Sequence, residues 1–304
     1  MLKIENIFKS FGTNQVLKGI NIELREGEIY GLIGKNGAGK TTLMNIIAMV
    51  LNSDSGKIFV DNQEVKALND LAGKIGYVID IPSTFEYLTP MQYLEFLLTP
   101  KNLDKNEVKL KAMEALVKLN LSESANKPIK TFSRGMKQRM GIASGIICDP
   151  KILIFDEPSS ALDPEGRAEV LDIISSLADD GKIILLSTHI LDDIERICDR
   201  IGFLINGKII VEGSTKEIIK QISYDVVCVE CDEEDKELLK KKMPENTYFE
   251  EIKETQNGVE ISFKNALPQK VFKDVLKVTK KITAISLKTM SLEELFIKLN
   301  KEGK

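Results

Sequence analysis

The segment Gly34-Lys35-Asn36-Gly37-Ala38-Gly39-Lys40-Thr41 constrains this chain more than any other stretch. It lies between an apolar strand-like run, Glu28 to Ile33, and an apolar helix expected over Thr41 to Leu51. A loop of this kind turns successive backbone N–H groups toward one point, and the helix N-terminus adds partial positive charge there. The pattern G-x-x-x-x-G-K-[ST] therefore predicts an anion cradle within an α/β sheet. Gly34, Gly37 and Gly39 allow the curvature, while Asn36, Ala38 and Thr42 extend the run of backbone donors. Lys40 adds a cation, and the Thr41 hydroxyl can ligate Mg²⁺. A triphosphate is the natural guest.

Phosphate chemistry also needs metal control and a base. Ile152 to Phe155 reads as a parallel strand covered on both faces, and it ends in Asp156-Glu157. Two crowded carboxylates at the end of a buried strand cost free energy unless cations or hydrogen bonds compensate. Asp156 is thus expected to hold Mg²⁺ and Glu157 to polarise an attacking water.

Composition narrows the remaining classes. With 42 Lys+Arg against 46 Asp+Glu, net charge -4, no global basic field exists and nucleic acid is not an expected partner. The chain has no run of eighteen apolar residues and no signal-peptide layout, so it is expected not to cross a membrane itself. Four cysteines in 304 residues form no disulfide framework and fit a reducing compartment. Cys228 and Cys231 fall in a β-branched run and read as plain apolar side chains.

Along the chain, strands are expected at Leu2 to Phe8, Val16 to Leu24, Glu28 to Ile33 and Lys57 to Val60. Helical spacing then runs through an insert of about 88–147, before strands at Lys151 to Phe155 and Ile183 to Ser187 flank a helix from Pro164. Near residue 221 the texture becomes rich in Lys and Glu. The elements there are strand Tyr224 to Cys231, helix Glu233 to Lys242, strands Thr247 to Ile252 and Val259 to Lys264, helix Leu267 to Val278, strand Ile282 to Lys288 and helix Ser291 to Asn300. The first six follow the β-α-β-β-α-β order of a small ferredoxin-like α+β domain. The charge clusters Asp232 to Glu237 and Lys240 to Lys242 read as a solvated helix face. Domains are expected at 1–220 and 221–304.

Residues 1–220 resemble the ATP-binding cassette of ABC transporters, the match resting on the two motifs above and on Thr131-Phe132-Ser133-Arg134-Gly135-Met136-Lys137-Gln138-Arg139, which is similar to the family's signature sequence. The resemblance implies a P-loop NTPase cassette with an antiparallel β subdomain and a helical insert. It implies ATP and Mg²⁺ as ligands and a second anion site at Ser133 and Gly135 that meets the γ-phosphate held by another subunit. Phe11 would stack on adenine, Asp163 in Ser160-Ala161-Leu162-Asp163 would link the sites across a dimer, and His189, the chain's one histidine, would sense the γ-phosphate beside Glu157. Lys40 and Glu157 complete that catalytic set. One departure stands out: Ile75 to Asp80 aligns with a stretch that normally ends in glutamine, and Asp80 takes its place as an oxygen donor toward Mg²⁺.

An acid there, followed by Pro82-Ser83, is similar to bacitracin- and lantibiotic-type exporter cassettes, and Ser291 to Phe296 resembles the end of the accessory domain of single-cassette drug exporters. The resemblance implies a homodimeric ATPase at the cytoplasmic face of the membrane that drives a separate integral permease, exporting a peptide antibiotic or drug. The aromatic-rich stretch Pro82 to Leu98 would receive the permease. The rival reading is a soluble ATP-switched protein acting in sensing, translation or repair.

Overall fold

In the first unit of the computed structural model, the strands are β1 (Leu2–Phe11), β2 (Asn14–Leu24), β3 (Ile29–Ile33), β4 (Ser55–Val60), β5 (Gln63–Glu64), β6 (Ile75–Val78), β7 (Ile152–Asp156), β8 (Ile183–Ser187), β9 (Arg200–Ile205) and β10 (Lys208–Ser214). Its helices are α1 (Lys40–Ile47), α2 (Pro90–Leu98), α3 (Lys105–Lys118), α4 (Arg134–Ile146), α5 (Pro164–Asp179) and α6 (Leu191–Ile197). The structure describes residues 1–79, 85–160, 162–222, 226–264, 266–279, 281–288 and 291–302. Chain contacts divide it into Met1–Gly213 and Ser214–Lys304; the change of sequence texture at 221 comes one helix after this division.

Two sheets carry the first unit. One is antiparallel, in the order β2-β1-β4-β5, and the other runs β10-β9-β3-β8-β7-β6 with β6, β7, β8, β3 and β9 mutually parallel. Every residue of β3, β7 and β8 is buried, as continuous apolar runs require when helices cover both faces of a parallel sheet. Helix α4 lies close on β6: a Cβ on Gly76 would stand 2.2 Å from the Gly145 carbonyl oxygen. This approach holds the C-terminal end of α4 against the sheet.

Between β6 and β7 the chain is helical, as the spacing predicts, and local chemistry sets each start. Thr89 accepts from the Gln92 N–H while the Gln92 side chain accepts from the Thr89 N–H, with Pro90 at the first helical position. Asp104 caps α3 and Ser133 caps α4. Each such cap contributes about 1 kcal/mol. The helix after the cradle is shorter than expected. It stops at Ile47 rather than Leu51, because Met49 turns into the left-handed region at φ 56°. The Met49 N–H bonds the Ile46 carbonyl and the Val50 N–H the Asn45 carbonyl, a left-handed C-terminal cap built without glycine.

The second unit contains α7 (Thr215–Ile222), β11 (Val226–Cys231), α8 (Glu233–Lys242), β12 (Phe249–Thr255), β13 (Gly258–Phe263), α9 (Pro268–Val278), β14 (Ile282–Leu287) and α10 (Leu292–Glu302). Its sheet is antiparallel in the order β12-β13-β11-β14, the arrangement of a ferredoxin-like sandwich. Val227, Val229, Val259, Ile261 and Phe263 alternate inward and pack with Leu239, Val271 and Val275. The first described residue of β11 is Val226, and Tyr224 lies outside the described residues.

One expectation fails here. The Asp232 to Glu237 cluster is not uniformly solvated: Asp235 and Lys236 are buried. Asp235 accepts the Lys281 backbone N–H at 2.7 Å and so ties α8 to the start of β14, while Lys236 Nζ reaches Glu233 at 2.6 Å. A charge run shows polarity but not which members find partners inside.

Candidate functional site

The cradle forms where β3 enters α1. Gly39 adopts φ 107° and Gly37 φ 81°, values that side chains resist, so the loop turns sharply enough to aim its N–H groups inward. Lys40 is only 6% exposed, and its ammonium donates to the Gly34 carbonyl at 2.8 Å and stands 3.6 Å from Glu157 Oε1. A cavity of about 470 Å³ opens above the loop, its wall including Asn36, Gly37, Gly39, Lys40, Thr41 and Thr42, with Asp156 and Glu157 opposite. Gly34 and Ala38 shape the loop from beneath, the Ala38 N–H bonding the Lys35 carbonyl.

Parallel pairing of β7 and β8 puts Asp156 beside Ser187. Both Asp156 oxygens are engaged: Thr41 Oγ1 donates to one at 2.7 Å and Ser187 Oγ to the other at 2.5 Å. Glu157 follows in the left-handed region at φ 51°, its N–H bonded to the Ser187 carbonyl. That backbone turn points the carboxylate away from the strand, where Oε2 meets His189 Nδ1 at 2.8 Å and the His189 backbone N–H at 3.3 Å. A ring nitrogen bonded to a carboxylate carries the proton, so Nδ1–H faces Glu157 and Nε2 is left for another partner. Tyr77 stands behind this group on β6. Burial pushes its phenol well above the usual range, and the neighbouring Asp156 charge pushes the same way.

A second cavity, of about 450 Å³, lies at the start of α4 and α5. Ser133 and Gly135 line it from α4, and Asp163 and Gly166 from α5. Ser133 Oγ accepts the Met136 N–H at 3.3 Å and Asp163 accepts the Gly166 N–H at 3.0 Å, so two capped helix N-termini share this space.

Comparisons with known proteins add the family. The family model described as "ABC transporter" matches residues 17–160, and that of the C-terminal domain of DrrA1-3-like ATP-binding proteins matches residues 213–299. The lantibiotic transport ATP-binding protein SrtF of Streptococcus pyogenes is 39% identical over 212 residues, covering 70% of this chain and 90% of its own. The chain belongs to the ATP-binding cassette family of ABC transporters. It is also 34% identical over 228 residues to the linearmycin resistance ATP-binding protein LnrL of Bacillus subtilis, covering 75% of this chain and 73% of that one. Among solved structures, the dimeric cassette MJ0796 aligns with TM-score 0.65 and 27% identity over 71% of this chain and 99% of its own, and a post-hydrolysis form of the same cassette is bound to ADP and Pi. This cassette is the ATP-hydrolysing subunit of an ABC transporter, related to lantibiotic and antibiotic-resistance ATPases.

Other residues singled out in the cassette's sequence fall as follows. Phe11 ends β1 at 51% exposure with Lys9 Nζ over its ring, 5.6 Å from the ring centre, and it does not line the cradle cavity. Asp80, with Pro82 and Ser83, lies outside the described residues. In the aromatic stretch, Tyr93, Leu94 and Leu98 are core, while Phe85, Tyr87 and Phe96 are exposed, Phe85 packing edge-on against both Tyr93 and Phe96.

Ser187 was not among the sequence candidates, yet it holds Asp156. The signal is one polar residue closing the otherwise apolar run Ile183 to Leu186, beside a strand that also ends in an acid.

Proposed function

We propose that two copies of this cassette dock head to tail, each binding ATP in the cradle of one and closing it with Ser133, Gly135 and Asp163 of the other. The observation that carries this reading is the pair of cavities within one chain: one has the loop amides, the buried Lys40 and the two strand-end acids, and the other gathers two helix N-termini with Arg134, Arg139, Asp163, Glu165 and Glu169 around them. A γ-phosphate held in the first fits the exposed N–H groups of the second.

The Thr41 hydroxyl and the Asp156 carboxylate, 2.7 Å apart at the cavity wall, form a set of hard oxygen donors that suits Mg²⁺, with Asp80 assigned to the same ion on its sequence position. Mg²⁺ held there would supply charge neutralisation to the triphosphate. Lys40 lies where it can leave Glu157 for an incoming phosphate oxygen. Glu157, freed from that cation, accepts the proton of the attacking water, while His189 holds the carboxylate through Nδ1 and offers Nε2 toward the γ-phosphate. Phe11, half-exposed at the end of β1, is the residue we assign to stacking on the adenine ring.

Hydrolysis removes the charge that joins the two copies, and the dimer opens. Among the described residues no helix is long and apolar enough to cross a membrane. On the strength of relatives named as transport ATP-binding proteins, we assign the work to a separate integral permease, with the cassette at its cytoplasmic face. The exposed Phe85, Tyr87 and Phe96 are the surface we assign to that contact. Export of a peptide antibiotic or drug is the assignment most consistent with the related lantibiotic and linearmycin ATPases.

The test is size-exclusion chromatography of Glu157→Gln with and without ATP·Mg²⁺. Expected is a dimer that forms only with ATP and persists because turnover is blocked; a protein that stays monomeric under saturating ATP, with or without its permease, overturns the sandwich.

A further inference from the structure

Asp193 is a charged residue that the proposed chemistry does not use, in the first turn of α6 and only 1% exposed. Ser159 Oγ donates to its Oδ2 at 2.6 Å, and Arg167 Nε stands 3.0 Å from its Oδ1. These partners come from two other segments. Ser159 follows Glu157 in the loop after β7, and Arg167 lies one turn into α5, beyond the Asp163 that caps it and lines the second cavity. Asp193 itself follows His189 by one helical turn.

Two facts argue against a purely stabilising role. Burying a carboxylate costs several kcal/mol before its partners compensate, and an apolar side chain at such a site is often as stable or more so. Burial indeed pushes the Asp193 carboxyl above its usual range, with Ser159 and Arg167 pulling it back. Meanwhile the Glu157–His189 contact it neighbours is weakly held on its own. His189 is 56% exposed, and the loop that carries the imidazole is tied within itself only, the Ile190 N–H donating to Thr188 Oγ1 at 3.0 Å, with no side-chain cap on α6 from Ile190. The two hydrogen bonds of His189, from the ring and from the backbone N–H, both end on one Glu157 oxygen and lie at an exposed residue, so they alone hold the carboxylate and the imidazole only loosely aligned.

We infer that Asp193 is a positioning residue: by binding Ser159 and Arg167 it latches the His189 loop to the Glu157 loop and both to the α5 wall of the second cavity. The latch acts through other residues and touches no substrate. It rests on the reading of Glu157 and His189 as the pair that handles the attacking water. Misplacing such a pair by a fraction of an ångström lowers the rate of the chemical step, while ATP binding, which rests on the loop amides and Lys40, changes little.

The experiment measures steady-state ATP hydrolysis and fluorescent-ATP affinity for the full chain and for Asp193→Ala, Ser159→Ala, their double variant and Ser159→Thr. Expected is a fall in kcat of about 10- to 100-fold for each alanine variant, with KM and nucleotide affinity within about twofold of the parent. The double variant falls no further than Asp193→Ala, since one latch is removed twice, and Ser159→Thr, which keeps the hydroxyl, regains most of the rate. A parent-like kcat in the folded alanine variants, or equal losses in kcat and affinity, overturns the inference. If Asp193→Ala fails to fold, the Ser159→Ala and Ser159→Thr pair decides alone. Glu157→Gln runs in the same assay: parent-rate hydrolysis there sinks the base assignment, whereas its loss beside unchanged Ser159→Ala sinks only the latch.

Discussion

Two cavities of nearly equal volume, about 470 and 450 Å³, open on the cassette, and they are built from opposite materials. The cradle is anchored on the ends of fully buried strands, its Thr41, Asp156, Ser187, Glu157 and His189 joined by a continuous series of hydrogen bonds. The second cavity rests on helix N-termini at the surface, and two of its charged side chains, Arg139 and Glu169, pair at 3.2 Å. The first fixes reactive groups in place before a ligand arrives. The second offers helix N-termini and surface charges but no buried lysine and no strand-end acids, which suits a surface that completes another molecule's site rather than one that works alone.

Variants can test that contrast at both ends. The largest effect is expected for Glu157→Gln, which removes the proposed base: turnover falls about 10²- to 10⁴-fold with ATP binding retained, as measured by steady-state hydrolysis and equilibrium binding. Lys40→Ala deletes the buried cation and weakens ATP affinity by on the order of 10²-fold, read by titration with a fluorescent analogue. Its persistence at parent affinity would show that loop amides alone hold the triphosphate. Gly135→Asp places a like charge toward the second cavity's anion; its Cβ meets nothing closer than Leu162 Cδ2 at 3.8 Å, so the chain accommodates it. Hydrolysis should drop about tenfold or more while monomer ATP affinity stays unchanged, and an unchanged rate would break the division of labour between the cavities. Phe11→Ala is expected to do least, weakening ATP about three- to tenfold through lost stacking without altering kcat.

The cradle was readable from sequence because it is local: eight consecutive residues between a strand and a helix define its shape, and the acids announce themselves by ending an apolar run. The parallel sheet was readable for the same reason, since β3, β7 and β8 are continuous apolar segments. What escaped depends on contacts far apart in the chain. Ser187 matters because β7 and β8 pair in one register, and the burial of Asp235 follows from the Lys281 N–H on a different element. The end of α1 at Ile47 escaped for a local reason, because Met49 takes the left-handed turn that glycine usually marks.

Glu157 carries a backbone angle, φ 51°, that glycine would occupy with less strain. Holding glutamate there costs about 1 kcal/mol or more. Glycine would relieve that angle, yet Glu157→Gly would also leave the buried Lys40 without the carboxylate 3.6 Å away and His189 without its partner, so the strain is kept in place by the contacts around it rather than by the backbone.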